Sequence, residues 1–289
     1  MLELHIQARG KINLALDVLR RREDGYHDLR MVMQSVSLSD EIILRENTLG
    51  RNTLASPSRY LPTDSRNLAM AALELFCRKT EREGFFADIV LNKHVPVCAG
   101  MGGGSSDAAA VLRALWQALE PSLPVETVLS WALELGSDVP FCLLGGTRRA
   151  EGRGEILTEL PPLPDCTIVL CKPLANVSTK KAFMVLDQAK IRCRPDIPGL
   201  EAALRQGTLG PVARRMYNVF EPVMAEEHKD IARLRNQMIE RGALGAVMTG
   251  SGPTVFGLFE NEAAARPVFD ELVAQRQRVF LCKNSGSEM

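Results

Sequence analysis

No stretch of the chain runs for the roughly 18 consecutive apolar residues that a membrane span requires, so the sequence predicts no transmembrane segment. The N-terminus alternates apolar and polar residues and offers no apolar core of a signal peptide. An excess of one charge is also missing. Lys and Arg total 35, Asp and Glu total 35, and this balance argues against a surface that holds a polyanion such as nucleic acid by bulk electrostatics. The 7 cysteines form no C-x-x-C pair and no zinc-like spacing. Their odd number points to reduced, packing thiols in a cytoplasmic protein. Internal repeats and low-complexity tracts are absent. What is there is globular: 46% hydrophobic and 24% charged residues over 289 positions, enough chain for one large domain or two modest ones.

The order of elements is mixed. Leu2, Leu4, Ile6 and Ala8 alternate with polar neighbours as in a half-buried strand, and Leu14, Leu16 and Val18 resume that alternation. Asp24-Gly25 marks a hairpin turn. Met31–Leu38 and Glu41–Arg45 read as two further strands, Ala87–Lys93 as another. A helix follows Asp64-Ser65, which offer capping oxygens, and further helices start near Ser106 and Pro124. Strands at Thr167–Cys171, Ala246–Met248 and Thr254–Phe259 alternate with helical stretches at Lys180–Gln188, Gly199–Arg205, His228–Arg241 and Ala263–Gln275. This is an α+β pattern and not a regular βαβ repeat. Three prolines between Thr158 and Asp165 place a domain boundary there, giving domains of residues 1–158 and 159–289.

The most informative segment is Pro96-Val-Cys-Ala-Gly100-Met-Gly102-Gly103-Gly104-Ser105-Ser106-Asp107, between a strand and a helix. Three glycines without Cβ let backbone N–H groups close on an anion. The helix behind them presents its positive end to the same place. Ser105 and Ser106 can cap that helix or donate to phosphate. Neither a Walker A loop nor G-x-G-x-x-G fits: His5 stands where the first Walker glycine would be, and Ser105 holds the last Rossmann position. Two further segments bear glycine. Thr249-Gly250-Ser251-Gly252 lies between two strands and reads on its own equally as a plain turn. Gly136-Ser-Asp138 sets a carboxylate just past a helix end.

Lys11 with Asn13, Pro96 through Ala109, and Thr249–Gly252 occur in the order of the three motifs of the GHMP kinase superfamily, the galactose, homoserine, mevalonate and phosphomevalonate kinases. The chain resembles that superfamily, with Met101 in place of its usual Leu. Asp24-Gly-Tyr26-His27-Asp-Leu29, Gly102–Ala109, Asp138-Val-Pro-Phe141 and Gly152-Arg-Gly-Glu155 resemble the branch acting on a cytidyl-linked methylerythritol of the non-mevalonate isoprenoid route. That resemblance implies a first domain like the second domain of ribosomal protein S5, a ferredoxin-like second domain and a site between them. It implies ATP as co-substrate with Mg2+, a small-molecule cytidyl substrate, and transfer to a tertiary 2-hydroxyl. The sequence assigns no protein ligands to the ion and no oligomeric state.

By the same resemblance Asp138 is the general base and Lys11 its electrostatic partner. A competing role for Asp138 is only to orient the hydroxyl. Asn67, Leu68 and Lys93 fall at the adenine pocket, and Pro96, Gly100, Met101, Gly102, Gly103, Gly104, Ser105 and Ser106 at the triphosphate. Tyr26 and Phe183 would sandwich the cytosine and His27 read its edge. Asn13, Thr179, Thr249, Gly250, Ser251 and Gly252 complete the substrate side. Two departures stand out: Cys98 and Ala99 replace glycines of some members, and Arg148-Arg149, expected to be solvated, follow Gly145-Gly146. The rivals are another small-molecule kinase of the superfamily, such as a homoserine or mevalonate kinase, and a non-catalytic nucleotide-binding sensor. Retention of both Lys11 and Asp138 favours an enzyme.

Overall fold

The computed structural model describes residues 1–288, so Met289, the last residue of the expected second domain, lies outside the described part. The first half opens on two long strands, β1 (Glu3–Arg21) and β2 (His27–Asn47), joined through the Asp24-Gly25 turn. The two separate strands expected in 31–45 are one. Their apolar residues belong to two different cores, which hides the continuity from a simple alternation. There follow β3 (Thr53–Ala55), α1 (Leu68–Lys79), β4 (Phe86–Asn92), α2 (Gly103–Leu119), α3 (Val125–Leu135), α4 (Val139–Leu144), β5 (Thr147–Gly152) and β6 (Ile156–Glu159). The second half holds β7 (Thr167–Lys172), α5 (Thr179–Gln188), α6 (Ile197–Gln206), α7 (Leu209–Ala213), β8 (Tyr217–Asn218), α8 (Phe220–Glu227), α9 (Lys229–Glu240), β9 (Gly245–Met248), β10 (Val255–Phe259), α10 (Glu262–Ala274) and β11 (Arg278–Lys283).

One sheet runs in the order β3-β4-β2-β1-β8, with β5 on the far part of β2 and β6 on β5. A second, antiparallel sheet runs β11-β7-β10-β9. One face of the first sheet packs on helices: Leu16, Met33, Ile42 and Leu44 share a core with Leu73, Phe76, Val111 and Leu115. The other face, through Ile12, Leu14 and Val32, shares a core with Ile168, Leu170, Phe256 and Leu258 of the second sheet. The middle of β1 is therefore buried on both sides, and apolar burial there is the main stabilising term.

Two details set up the site. The β1–β2 register shifts between Arg9 and Lys11 and again between Asn13 and Ala15, and such bulges re-aim the side chains between them. β8, from the second half, pairs in parallel with β1 at Ala15 and Leu16.

The capping expectations need correction. Asn67, not Asp64 or Ser65, caps α1, its side chain accepting from the Ala69 N–H at 3.0 Å. Asp64 instead closes a turn onto the Arg66 N–H. Nor do Ser105 and Ser106 cap α2. That helix starts earlier, at Gly103, and its cap residue Gly102 sits in the left-handed region with φ 67°. Arg148 is buried, its Nε donating to the Gly145 carbonyl at 2.9 Å, and Arg149 pairs with Glu151 and Glu201. Neither is the solvated arginine expected, because both lie on β5 with acceptors around them. All seven cysteines are free thiols.

Candidate active site

Lys11 leaves β1 between the two register shifts and is only 4% exposed. Its ammonium donates to Asn13 Oδ1 at 2.9 Å and lies 3.5 Å from Asp138 Oδ2. Asp138 precedes α4, so the backbone turn ending α3 at Gly136 brings the carboxylate to the lysine. The Lys11 N–H also donates to the Met101 carbonyl at 3.0 Å, tying β1 to the glycine segment. Gly102 is confined by that contact: a Cβ there would lie 3.1 Å from Lys11 Cγ.

The first intrahelical bond of α2 runs from the Ser106 N–H to the Gly102 carbonyl. The N–H groups of Gly103, Gly104 and Ser105 precede it, have no intrahelical acceptor, and sit at the positive end of a 17-residue helix. They border a cavity of about 460 Å³ whose wall includes Asn67, Leu68, Lys93, Pro96, Gly100, Met101 and Asp138. Ser105 lines the cavity, whereas Ser106 is buried and its hydroxyl donates back to the Gly103 carbonyl at 2.9 Å. Cys98, on the same loop, adopts φ 52°, a conformation that a glycine takes without strain.

The third glycine segment arrives from the other half of the chain. Asn13 Oδ1 accepts from the Gly250 N–H at 3.0 Å, and Thr249 Oγ1 accepts from the Asn13 N–H at 3.0 Å. Asn13 and Thr249 are both 0% exposed. In this structure both act as struts between Lys11 and the loop. Gly252 is likewise buried, while Gly250 and Ser251 line the cavity. Backbone meets backbone at this seam: a Cβ on Gly100 would lie 2.3 Å from the Thr249 carbonyl oxygen, and one on Gly250 2.7 Å from that of Gly100. Asn218 of β8 pins the same loop, donating to the Met248 and Gly250 carbonyls; nothing local in the sequence marks it.

Beneath α2, Lys93 bridges two buried carboxylates, Asp40 and Asp107. Asp40 also accepts from the His94 and Val95 N–H groups. Asp107 has Lys93 on one oxygen at 2.7 Å and no partner on the other. Burial pushes the Asp107 carboxyl well above the usual range, Lys93 opposes that rise, and the neighbouring Asp40 adds to it. Lys93 therefore both borders the cavity and supports the loop.

A second cavity of about 840 Å³ shares Leu29, Ser105, Asp138, Thr179 and Phe183 with the first and continues past Tyr26, His27 and Arg153. Its aromatics are arranged differently from expectation. Phe183 stacks on His27, with centroids 4.5 Å apart at 20°, and Tyr26 is half exposed with the Arg153 guanidinium 4.6 Å above its ring. His27 Nε2 is 2.8 Å from Asp187 Oδ1. Asp187 was missed in the sequence, yet Thr179, Phe183 and Asp187 recur every fourth residue on α5 and share one helix face. Thr179 also meets Ser251, hydroxyl to hydroxyl, at 3.0 Å.

A basic–acidic pair beside a helix N-terminus, set between two cavities, suits phosphoryl transfer to an alcohol. The comparisons with known proteins agree. A profile described as GHMP kinases N terminal domain matches residues 67–146, and one described as GHMP kinases C terminal matches residues 200–277. A protein of Lachnospira eligens named 4-diphosphocytidyl-2-C-methyl-D-erythritol kinase is 44% identical over 262 residues, covering 91% of each chain. The chain belongs to the GHMP kinases, in the family of that relative.

A crystal structure of 4-(cytidine 5'-diphospho)-2C-methyl-D-erythritol kinase superposes on this kinase with TM-score 0.81 and 30% identity, over 98% of this chain and 100% of that one. The homoserine kinase of Cytophaga hutchinsonii superposes with TM-score 0.77 over 99% and 96%. At 20% identity it shares the fold alone. The two-domain α+β architecture of the superfamily is thereby shown. No helix among the described residues is long and apolar enough to cross a membrane.

Proposed function

We infer that this kinase transfers the γ-phosphoryl group of ATP to the 2-hydroxyl of 4-diphosphocytidyl-2-C-methyl-D-erythritol, with Asp138 as the general base. The single observation that supports these roles is the 3.5 Å approach of Lys11 Nζ to Asp138 Oδ2 where the two cavities meet. As the substrate oxygen bonds to the γ-phosphorus and the bond to the β-phosphate oxygen breaks, the Asp138 carboxylate takes the hydroxyl proton. General base catalysis of this kind is worth ~10²–10⁴-fold. Lys11 stabilises the developing alkoxide charge and is itself held by Asn13.

ATP occupies the cavity over α2, with its phosphates on the free N–H groups of Gly103, Gly104 and Ser105 and its base near Asn67, Leu68 and Lys93. The cytidyl end occupies the second cavity against Tyr26 and Phe183, and His27 faces the base edge. Arg153 stands beside them as a cation for the diphosphate. The described residues hold no cluster of three or more His, Cys, Asp or Glu side chains. Ser105, which lines the cavity beside the free N–H groups, would offer its hydroxyl to a magnesium ion entering with ATP, and that ion would neutralise phosphate charge.

We place the domain boundary at 158/159, at the end of β6 and just before the proline-rich connection between the two sheets, and the working site in the cytoplasm. The test is ADP release from the purified chain with the cytidyl substrate beside free methylerythritol, homoserine and mevalonate. Turnover of the cytidyl substrate alone is the expected result. Equal turnover of free methylerythritol would remove the cytidyl pocket from this reading.

A further inference from the structure

Behind the site, away from both cavities, residues 284–288 cross from the second sheet back onto the first. Asn284 bridges to Val36 and Ser287 to Gly145. The Ser285 N–H donates to the Ser35 carbonyl and Gln34 Nε2 to the Ser285 carbonyl. The strap carries Glu288, whose side chain is mostly buried and meets two arginines: Oε1 lies 3.1 Å from Arg9 Nη1 and Oε2 3.0 Å from Arg113 Nη2.

These contacts reach three elements, and each element carries one part of the site. Arg9 lies on β1, two residues before Lys11. Arg113 lies on α2, the helix whose first turn forms the glycine loop. The Glu288 N–H and the Ser287 hydroxyl both donate to the Leu144 carbonyl, at 2.8 and 2.9 Å, at the end of α4, whose cap residue is Asp138. Arg113 itself donates to the Leu143 carbonyl at 3.2 Å and reaches that of Cys142. The last carbonyls of α4, which a helix end leaves without intrahelical donors, are thus filled by the strap and by the arginine it neutralises. The approach is close: a Cβ on Gly145, at φ 64°, would lie 2.6 Å from Glu288 Cγ.

We propose that Glu288 is a positioning residue for phosphoryl transfer, a rear clamp that fixes α4, and with it Asp138, against β1 and α2. The proposal rests on Asp138 being the base. A six-residue helix has little intrinsic stability, so its orientation is set by what holds its ends, and small misplacements of a catalytic group are costly in rate.

The test is a kinetic cycle of Glu288→Ala, Asp138→Asn and the double variant in the full chain, with Glu288→Gln as the milder variant should alanine destabilise the fold. Glu288→Ala is expected to lower kcat about tenfold with KM for ATP and for the cytidyl substrate within about twofold, and Glu288→Gln to fall between it and wild type. In the Asp138→Asn background the loss should vanish, because a clamp acting through the base has nothing left to position. If Asp138→Asn lowers kcat but Glu288→Ala leaves kcat unchanged, or lowers it equally in both backgrounds, the clamp is overturned and the base assignment stands. If Asp138→Asn itself leaves kcat near normal, the base assignment fails and takes the clamp with it.

Discussion

The cavity over α2 gathers glycine backbone on its wall, at Gly100, Gly102, Gly103, Gly104 and Gly250, whereas the cavity beside α5 gathers the side chains of Tyr26, His27, Arg153, Phe183 and Asp187. Charged phosphate oxygens are matched by N–H groups that every residue carries, so the chain needs only to clear Cβ atoms from their path. A base and its edge are matched by aromatic faces and specific polar tips, which the backbone does not supply. On the proposed reading the first surface would bind the phosphates of ATP, and the second would separate one substrate from another.

Four experiments press on that division. The largest effect belongs to the residue at the junction. Asp138→Asn keeps the shape and removes the charge, and should lower kcat ~10²-fold or more while both KM values barely move. A change confined to one KM would assign Asp138 to one cavity instead of to the chemistry. Next is the backbone wall. Gly104 is the clean position, since a Cβ there meets only Leu68 Cδ1 at 3.6 Å, whereas one on Gly103 is pressed by Val95 at 3.3 Å. Gly104→Val should leave melting unchanged and raise KM for ATP about tenfold or more by filling the phosphate approach; an unaltered ATP titration would take the phosphates off this loop.

The side-chain wall should respond in the opposite sense. Tyr26→Ala removes a half-exposed ring and should raise KM for the cytidyl substrate about tenfold, within the ~1–3 kcal/mol of a base stack, with KM for ATP steady. His27→Ala should narrow the preference for cytidyl over uridyl substrate. Steady-state kinetics with both substrates varied decides, and a shift in ATP KM would dissolve the division. The smallest effect lies under the backbone wall. Because burial raises the Asp107 pKa in the folded state, the native chain holds that proton where the unfolded chain releases it. The associated stability is present at low pH and is lost as pH rises toward the raised pKa. Asp107→Asn keeps an uncharged side chain, so its melting temperature should gain on wild type between about pH 4 and about pH 8. A pH-independent difference would mean that Asp107 does not titrate in this window.

The same division explains what the sequence made legible. Gly102–Ser105 stood out because consecutive glycines before a helix have few other uses, and the α5 face could be read from Thr179 and Phe183. Lys11 and Asp138 were joined only by family resemblance, since 126 intervening positions carry no spacing rule, and the fold supplies their meeting through two strand bulges and the turn after α3. Asn13 and Thr249 stood on the substrate side by family resemblance alone, and nothing in the sequence signals that their polar atoms engage each other and Lys11 in the folded chain. The strands β3, β5, β6, β8 and β11 and the helices α4, α7 and α8 went unread, being short or dependent on partners far away in the chain. Residues 31–45 misled because one strand served two cores.

The seam between Gly100 and Gly250 has a consequence for how such a protein can change over generations. Each residue leaves no room for a side chain on the other's segment, so the two loops, about 150 positions apart in the chain, are bound to one mutational fate. A substitution at either glycine cannot be rescued by shrinking its neighbour, because the obstacle is main chain and main chain does not mutate. In a library of single replacements both positions should therefore empty together. An inhibitor shaped to that seam would leave few escape variants, while one resting on Tyr26 or His27 would leave many.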